Sequence, residues 1–276
     1  MIREDLLAAL AWQVELGADD AITEEAQDRF AESAPDGPGK ALTPQPARKT
    51  RSPAEAARPV DPRSDRDQIG PARLASVAGS LEALHATIAA WDGSELKKGA
   101  QNCVFSDGRP GAHLMIIGEA PGADEDRQGK PFVGRAGQLL DRMLAAIALD
   151  RTAENPAEAA YISNILPWRP PGNRTPSEAE IAAFLPFMLR HIELARPQFL
   201  LTVGNTPTKA LLGTTTGIKR MRGTWRRHSA SGLPLLPSFH PAYLLRQPAE
   251  KRLAWHDLKA LRRALDGAVP EVEDLP

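Results

Sequence analysis

The sequence predicts an α/β domain: a mainly parallel sheet with helices on both faces. Two observations carry this. Short apolar runs recur at His113–Ile117, Ala160–Ile165, Phe199–Val203 and Leu233–Phe239, and amphipathic helical stretches separate them. Strands covered on both faces read as continuous apolar runs, and their alternation with helices marks parallel sheets. The runs end at Gly118, Asn164, Gly204 and His240. Open parallel sheets bind ligands beyond the carboxyl ends of their strands, so those four positions are where a site is expected.

Taken in chain order, residues 1–33 predict a helical segment, with Leu6, Leu7, Leu10 and Val14 on one face. Residues 34–71 turn to Pro, Ala, Arg, Asp and Ser, with eight prolines from Pro35 to Pro71. Too little apolar surface is available there to offset the ordering entropy, which predicts a disordered linker. The α/β domain is expected over 72–268 and an acidic tail over 269–276. Inside the domain, Gly134–Asp150 places Leu140, Met143, Leu144 and Ile147 on one side of a helix. Thr175-Pro176-Ser177-Glu178 reads as a capping box with Thr175 as the cap and Pro176 at the first helical position. The helix it opens carries Ile181, Phe184, Leu185, Met188 and Ile192, with a bend expected at Pro186. "VGNTPTKALLG" repeats the strand–turn–helix pattern at 203–213, and Pro248–Leu265 supplies a last helix.

Composition narrows the class. Of 276 residues, 42% are hydrophobic, enough for a core, yet no apolar run approaches a membrane span. The acid-bearing N-terminus lacks a secretory pattern, and a lone cysteine, Cys103, suits a reducing cytoplasm. Residues 1–70 hold 9 Lys+Arg against 14 Asp+Glu, and residues 71–276 hold 25 against 21. No acid falls between Glu193 and Glu250, an interval that holds Arg196, Lys209, Lys219, Arg220, Arg222, Arg226, Arg227 and Arg246. Such a field attracts phosphate backbones.

The turn "GEAPGADEDRQGKPFVG" (118–134) has the glycines of a phosphate loop but four acids, and no Gly-Lys-Ser/Thr ending. A nucleotide-binding enzyme would want a basic loop there. With Phe132 as an aromatic face, Asn164 as a paired donor and acceptor, and His240 as a donor, the strand ends describe a nucleobase pocket instead.

These residues carry a resemblance. "GEAPGADEDRQGKPFVGRAGQLLD", "YISNILPWRPPGNRTP" and "SFHPAYLLR" resemble family 4 uracil-DNA glycosylases in order and spacing, from about Gly99 to Leu265. The resemblance implies a three-layer α/β/α sandwich with a central four-stranded parallel sheet. The implied activity is hydrolysis of the N-glycosidic bond of deoxyuridine in DNA, without lyase activity. Its implied uracil-binding set is Gly118, Ala120, Glu125, Phe132, Asn164 and His240. Phe132 would stack on the base, Asn164 read its edge, and Glu125 exclude the thymine methyl. Glu119, Asn173 and His240 are the implied catalytic residues, with Asn173 a candidate to position the attacking water and the group that activates it left open. Arg220, Arg222, Leu244, Leu245 and Arg246 are the implied DNA contacts, the two leucines and Arg246 forming a wedge that enters the duplex.

The family's iron–sulfur cluster is held by four cysteines, whose places here are taken by Ala100, Cys103, Trp168 and Phe184. Only one can ligate iron, so no cluster is expected. A related branch uses a histidine in an Arg-rich insertion to bond covalently to DNA. His228 lies in a basic stretch, but beyond the ordinary turn, and no adduct is expected. The chain is thus expected to be a cytoplasmic monomer acting on uracil-containing DNA, with no membrane association and with residues 1–33 as an element for a protein partner. A catalytically weak, DNA-binding member of the same superfamily is the alternative.

Overall fold

A computed structural model describes residues 70–273; the predicted N-terminal helix and all but the last two residues of the linker lie outside the described residues. Seven strands form one sheet: β1 (Asp107–Gly108), β2 (Leu114–Gly118), β3 (Ala160–Asn164), β4 (Phe199–Val203), β5 (Trp225–Arg227), β6 (Pro234–Ser238) and β7 (Val272–Glu273). Their spatial order is β1-β3-β2-β4-β6-β5-β7. The central four, β3-β2-β4-β6, are all parallel, as the apolar runs predict. The additions are edges: β1 and β5 pair antiparallel with β3 and β6, and β7 runs parallel to β5.

Alternation along the strands divides the core into two layers. Met115, Ile117, Tyr161 and Leu200 face the helices Leu81–Ala90 and Glu178–Ala195 through Leu84, Ile88, Phe184, Phe187 and Met188. Leu114, Ile116, Ile162 and Leu201 face the helices Arg135–Ala145 and Lys251–Leu265 through Leu140, Leu144, Leu258 and Leu261. The protein is thus an α/β/α sandwich, with each central strand sealed from water on both sides. Among the described residues, no helix is long and apolar enough to cross a membrane.

Three boundaries differ from expectation. Pro71, taken as the end of the linker, is the first residue of the helix Pro71–Val77, where its fixed φ suits the opening turn. The long helix begins at Glu178, not Pro176. Ser177, rather than Thr175, is the cap: its hydroxyl accepts from the Glu180 amide, and the Glu180 carboxylate accepts from the Ser177 amide at 2.7 Å. Glu180 also pairs with Arg174, which together with the Ser177 bonds holds its carboxyl at about 2, well below the usual range. Pro186 lies inside this helix. The segment expected as an acidic tail contributes β7, where Glu273 pairs with Arg226 at 3.3 Å.

Candidate active site

The site grows from the register of β2 and β3. Gly118 and Asn164 are paired residues at the carboxyl ends of these strands. A side chain at 118 would collide with its neighbours: a Cβ there would stand 2.3 Å from Asn164 Oδ1 and 2.6 Å from the Phe132 ring. Glycine therefore lets an amide and an aromatic ring converge over a strand end. Asn164 is only 4% exposed, and its Oδ1 has no hydrogen-bond partner. Buried oxygens are almost always paired, so an orphan acceptor on a residue of a cavity wall asks for a donor.

Phe132 has φ +54°, a conformation rare for a bulky residue. Opposite charges fasten it from both sides. Arg151 donates to the carbonyls of Pro131 (3.1 Å) and Phe132 (2.9 Å), while Asp107 and Asp141 hold the guanidinium. Glu125 accepts from the amides of Val133 (3.0 Å) and Gly134 (2.9 Å), and from Gly122 (3.1 Å) with its other oxygen. The carboxylate expected to police the base edge lines the cavity and is anchored there by backbone amides. Behind the ring, Gly137 lets the next helix sit against the Phe132 carbonyl, where a Cβ would fall 1.8 Å from the oxygen.

His240 follows β6 and caps the helix Pro241–Arg246. Its Nδ1 accepts from the Ala242 amide at 3.1 Å, which leaves the proton on Nε2 as the free donor. Burial pushes the imidazole down to about 4, with Arg246 adding to the effect, so it is a neutral donor at ordinary pH. Its ring lies 5.5 Å from that of Phe132. The strand end is braced from beneath by fully buried Asp257, which accepts from Ser238 (2.8 Å) and pairs with Arg222.

A cavity of about 960 Å³ joins these groups, with Glu119, Ala120 and Asn173 also in its wall. Thr206 donates to the half-buried Glu119 carboxylate and turns it. Asn173 is exposed on the rim in a left-handed conformation (φ +55°), and its Oδ1 accepts from Arg169 at 2.8 Å. Thr206, Arg151 and Asp257 went unforeseen. Thr206 had a signal, since it follows the end of β4; the other two act across long sequence separations that no local pattern reveals.

The uracil DNA glycosylase superfamily model matches residues 105–259, more than half of the chain. The chain belongs to that superfamily. It is 37% identical over 178 residues to a type-4 uracil-DNA glycosylase of Saccharolobus solfataricus, covering 62% of this chain and 80% of the relative. The type-4 enzyme of Sulfurisphaera tokodaii is 33% identical over 191 residues (66% and 84%). That of Thermotoga maritima is 35% identical over 164 residues (57% and 80%).

Within this superfamily member, two of the expected DNA contacts are turned into the fold. Arg222 is drawn inward: it pairs with Asp257, donates to the Leu253 carbonyl at 2.9 Å and lies over the Phe239 ring. Leu244 is 1% exposed and packs in the layer with Leu140 and Leu258, because that face of its helix turns to the core. Leu245 is half-buried against the same layer, whereas Arg220 and Arg246 are exposed and border the cavity. Arg226 is likewise buried, so the basic interval does not form one surface. His228 is 1% exposed, bonds Ser231 at 2.7 Å and does not line the cavity.

The side chains at the cluster positions do not fit an iron–sulfur group. Phe184 and Trp168 are 1% and 5% exposed and fill the core, Phe184 meeting Trp91 edge-on at 5.3 Å. Ala100 offers no ligand atom. Burial pushes the Cys103 thiol up to about 12, away from the thiolate that binds metal.

Proposed function

We propose that this protein is a monofunctional uracil-DNA glycosylase, releasing uracil from DNA and leaving an abasic site. The observation that carries the reading is the orphan Asn164 Oδ1, buried beside Gly118 on a residue that lines the same cavity as Phe132 and the neutral donor His240. Uracil supplies what is missing: its N3–H satisfies Oδ1, and its ring stacks on Phe132. As the N1–C1′ bond breaks, its electron pair moves onto the base, and negative charge gathers at O2. Nε2–H of His240 donates to that oxygen. Donors aimed at developing charge are each worth about 10²–10³ in rate. Water adds to C1′ and loses a proton. Glu119, turned by Thr206, is the group to take it, with Asn173 on the rim positioning the water. Glu125 acts on selectivity through the wall it fastens, and that wall excludes the thymine methyl.

The reading includes a chain free of iron–sulfur cluster, working as a cytoplasmic monomer with residues 1–33 binding a protein partner. Supporting the first are the apolar side chains at the cluster positions; supporting the location is the single cysteine. Uracil- and thymine-containing oligonucleotides, incubated with protein and then treated with alkali, test the activity. Uracil-dependent strand breaks abolished by Asn164→Ala are expected, and absence of breaks would instead favour a repurposed DNA-binding member. Metal analysis of colourless protein should find no iron; about four irons per chain, the content of a four-iron cluster, would overturn that part.

A further inference from the structure

The helix Lys251–Leu265 buries one face through Ala254, Leu258 and Leu261 and turns the opposite face to solvent. On that outer face Arg252, Trp255, Lys259 and Arg263 recur at steps of three, four and four, which stacks them in one row along the helix. All four are exposed, Trp255 by 41%. Cations on other helices have an acid one turn away: Arg127 pairs with Asp124, and Arg190 with Glu193. Here the one acid within the helix, Asp257, is fully buried and held by Arg222 and Ser238. Asp266 beyond its end is taken by Arg262, and among the described residues no carboxylate pairs with Arg252, Lys259 or Arg263.

The row begins near the cavity and leads away from it. Arg246 stands at the cavity's edge, and Lys251 opens the helix five residues later. Asp257 accepts from Ser238 at the end of β6, the strand that His240 follows, so the first turns lie beside the site. Near the far end, Arg262 donates to the Ile147 carbonyl at 3.3 Å. At 1.5 Å per residue, Arg252 to Arg263 spans about 17 Å, or about five base-pair steps of DNA. A row of cations without acids is complementary to a polyanion. An anionic membrane would also want a free apolar face, and this helix buries its own in the core through Leu258 and Leu261. Cations interleaved with an aromatic ring fit nucleic acid instead.

We infer that Arg252, Trp255, Lys259 and Arg263 form a second DNA contact outside the cavity, holding the backbone that flanks the nucleotide being read; the identity of the partner rests on the glycosylase reading above. The test is binding of the full chain to a uracil-free DNA duplex across a salt series. Three proteins are compared: the parent, a variant with Arg252→Gln, Lys259→Gln and Arg263→Gln, and a charge-matched control with Arg73→Gln, Arg109→Gln and Arg196→Gln, whose cations are exposed elsewhere on the surface. Each phosphate contact contributes about 0.9 to the slope of log affinity against log salt. The helix variant should therefore lose about 2–3 from that slope and bind about tenfold or more weakly at low salt, while the control stays close to the parent. DNA should also quench the parent's tryptophan emission, and Trp255→Phe should lose most of that quench. A helix variant with the parent's slope, a control that loses as much, or a full quench in Trp255→Phe overturns the inference. So does a helix variant that loses binding to phosphatidylserine vesicles while keeping its DNA affinity. Uracil release is read separately: its absence from the parent overturns the glycosylase reading and not this contact, which is measured on DNA without uracil.

Discussion

Gly118→Ala tests the geometry of the site most directly. The backbone at 118 lies outside the left-handed region, so alanine meets no conformational penalty, and the perturbation is one methyl group. That methyl would stand 2.3 Å from Asn164 Oδ1 and 2.6–2.7 Å from two atoms of the Phe132 ring, against an ordinary contact of 3.4 Å or more. The amide and the ring must each retreat by roughly an ångström, a misplacement worth about 10²-fold in rate. Overpacking adds a stability loss of about 1–3 kcal/mol. Uracil release under single-turnover conditions should therefore fall about 10²-fold while the circular dichroism spectrum stays native. Gly99→Ala, where a Cβ meets nothing within 4 Å, is the control and should leave both unchanged. A folded Gly118→Ala protein with the parent rate would refute the claim that Asn164 and Phe132 must converge over this residue.

Other outcomes follow from the same geometry. His240→Ala should lower kcat about 10²–10³-fold, and in the parent protein the histidine should limit activity only as pH falls toward about 4, where the imidazole takes its proton. Burial also holds His191 at about 3, so the folded chain refuses protons that the unfolded chain accepts below about 6.5. Urea titrations should show no loss from these two groups above that pH, and declining stability from there down toward about pH 3. Asp257→Ala leaves Arg222 without its carboxylate and Ser238 without its acceptor, and should cost about 3–5 kcal/mol in denaturant unfolding.

The parts of the molecule legible in the sequence share a physical origin. β2, β3, β4 and β6 are covered on both faces, so each appears as an unbroken apolar run, and Gly118, Asn164 and His240 stand out where the runs stop. Choices settled by tertiary packing were not legible. Thr175 and Ser177 each precede a glutamate by three residues, and the Arg174–Glu180 pair favours the second. Leu244 and Leu245 are equivalent as letters; only docking of their helix decides which enters the core. A count of cations does not distinguish Arg222, pulled in by Asp257, from Arg220 at the surface. Edge strands as short as β1 and β7 carry too few residues for a periodic signal.

Phe132 holds a further consequence. The ring's unfavourable backbone angle is offset by Arg151 on its carbonyl side and Glu125 on its amide side, two charges that belong to the folded chain and not to any ligand. On the proposed function, the aromatic surface is then already oriented before a base arrives. Pre-organisation of this kind removes the entropy loss of ordering a lid at every encounter, so recognition begins from a rigid template. The ring's placement therefore depends on a residue nearly twenty positions away: a change at Arg151 removes the donors to the Pro131 and Phe132 carbonyls and loosens the Phe132 backbone.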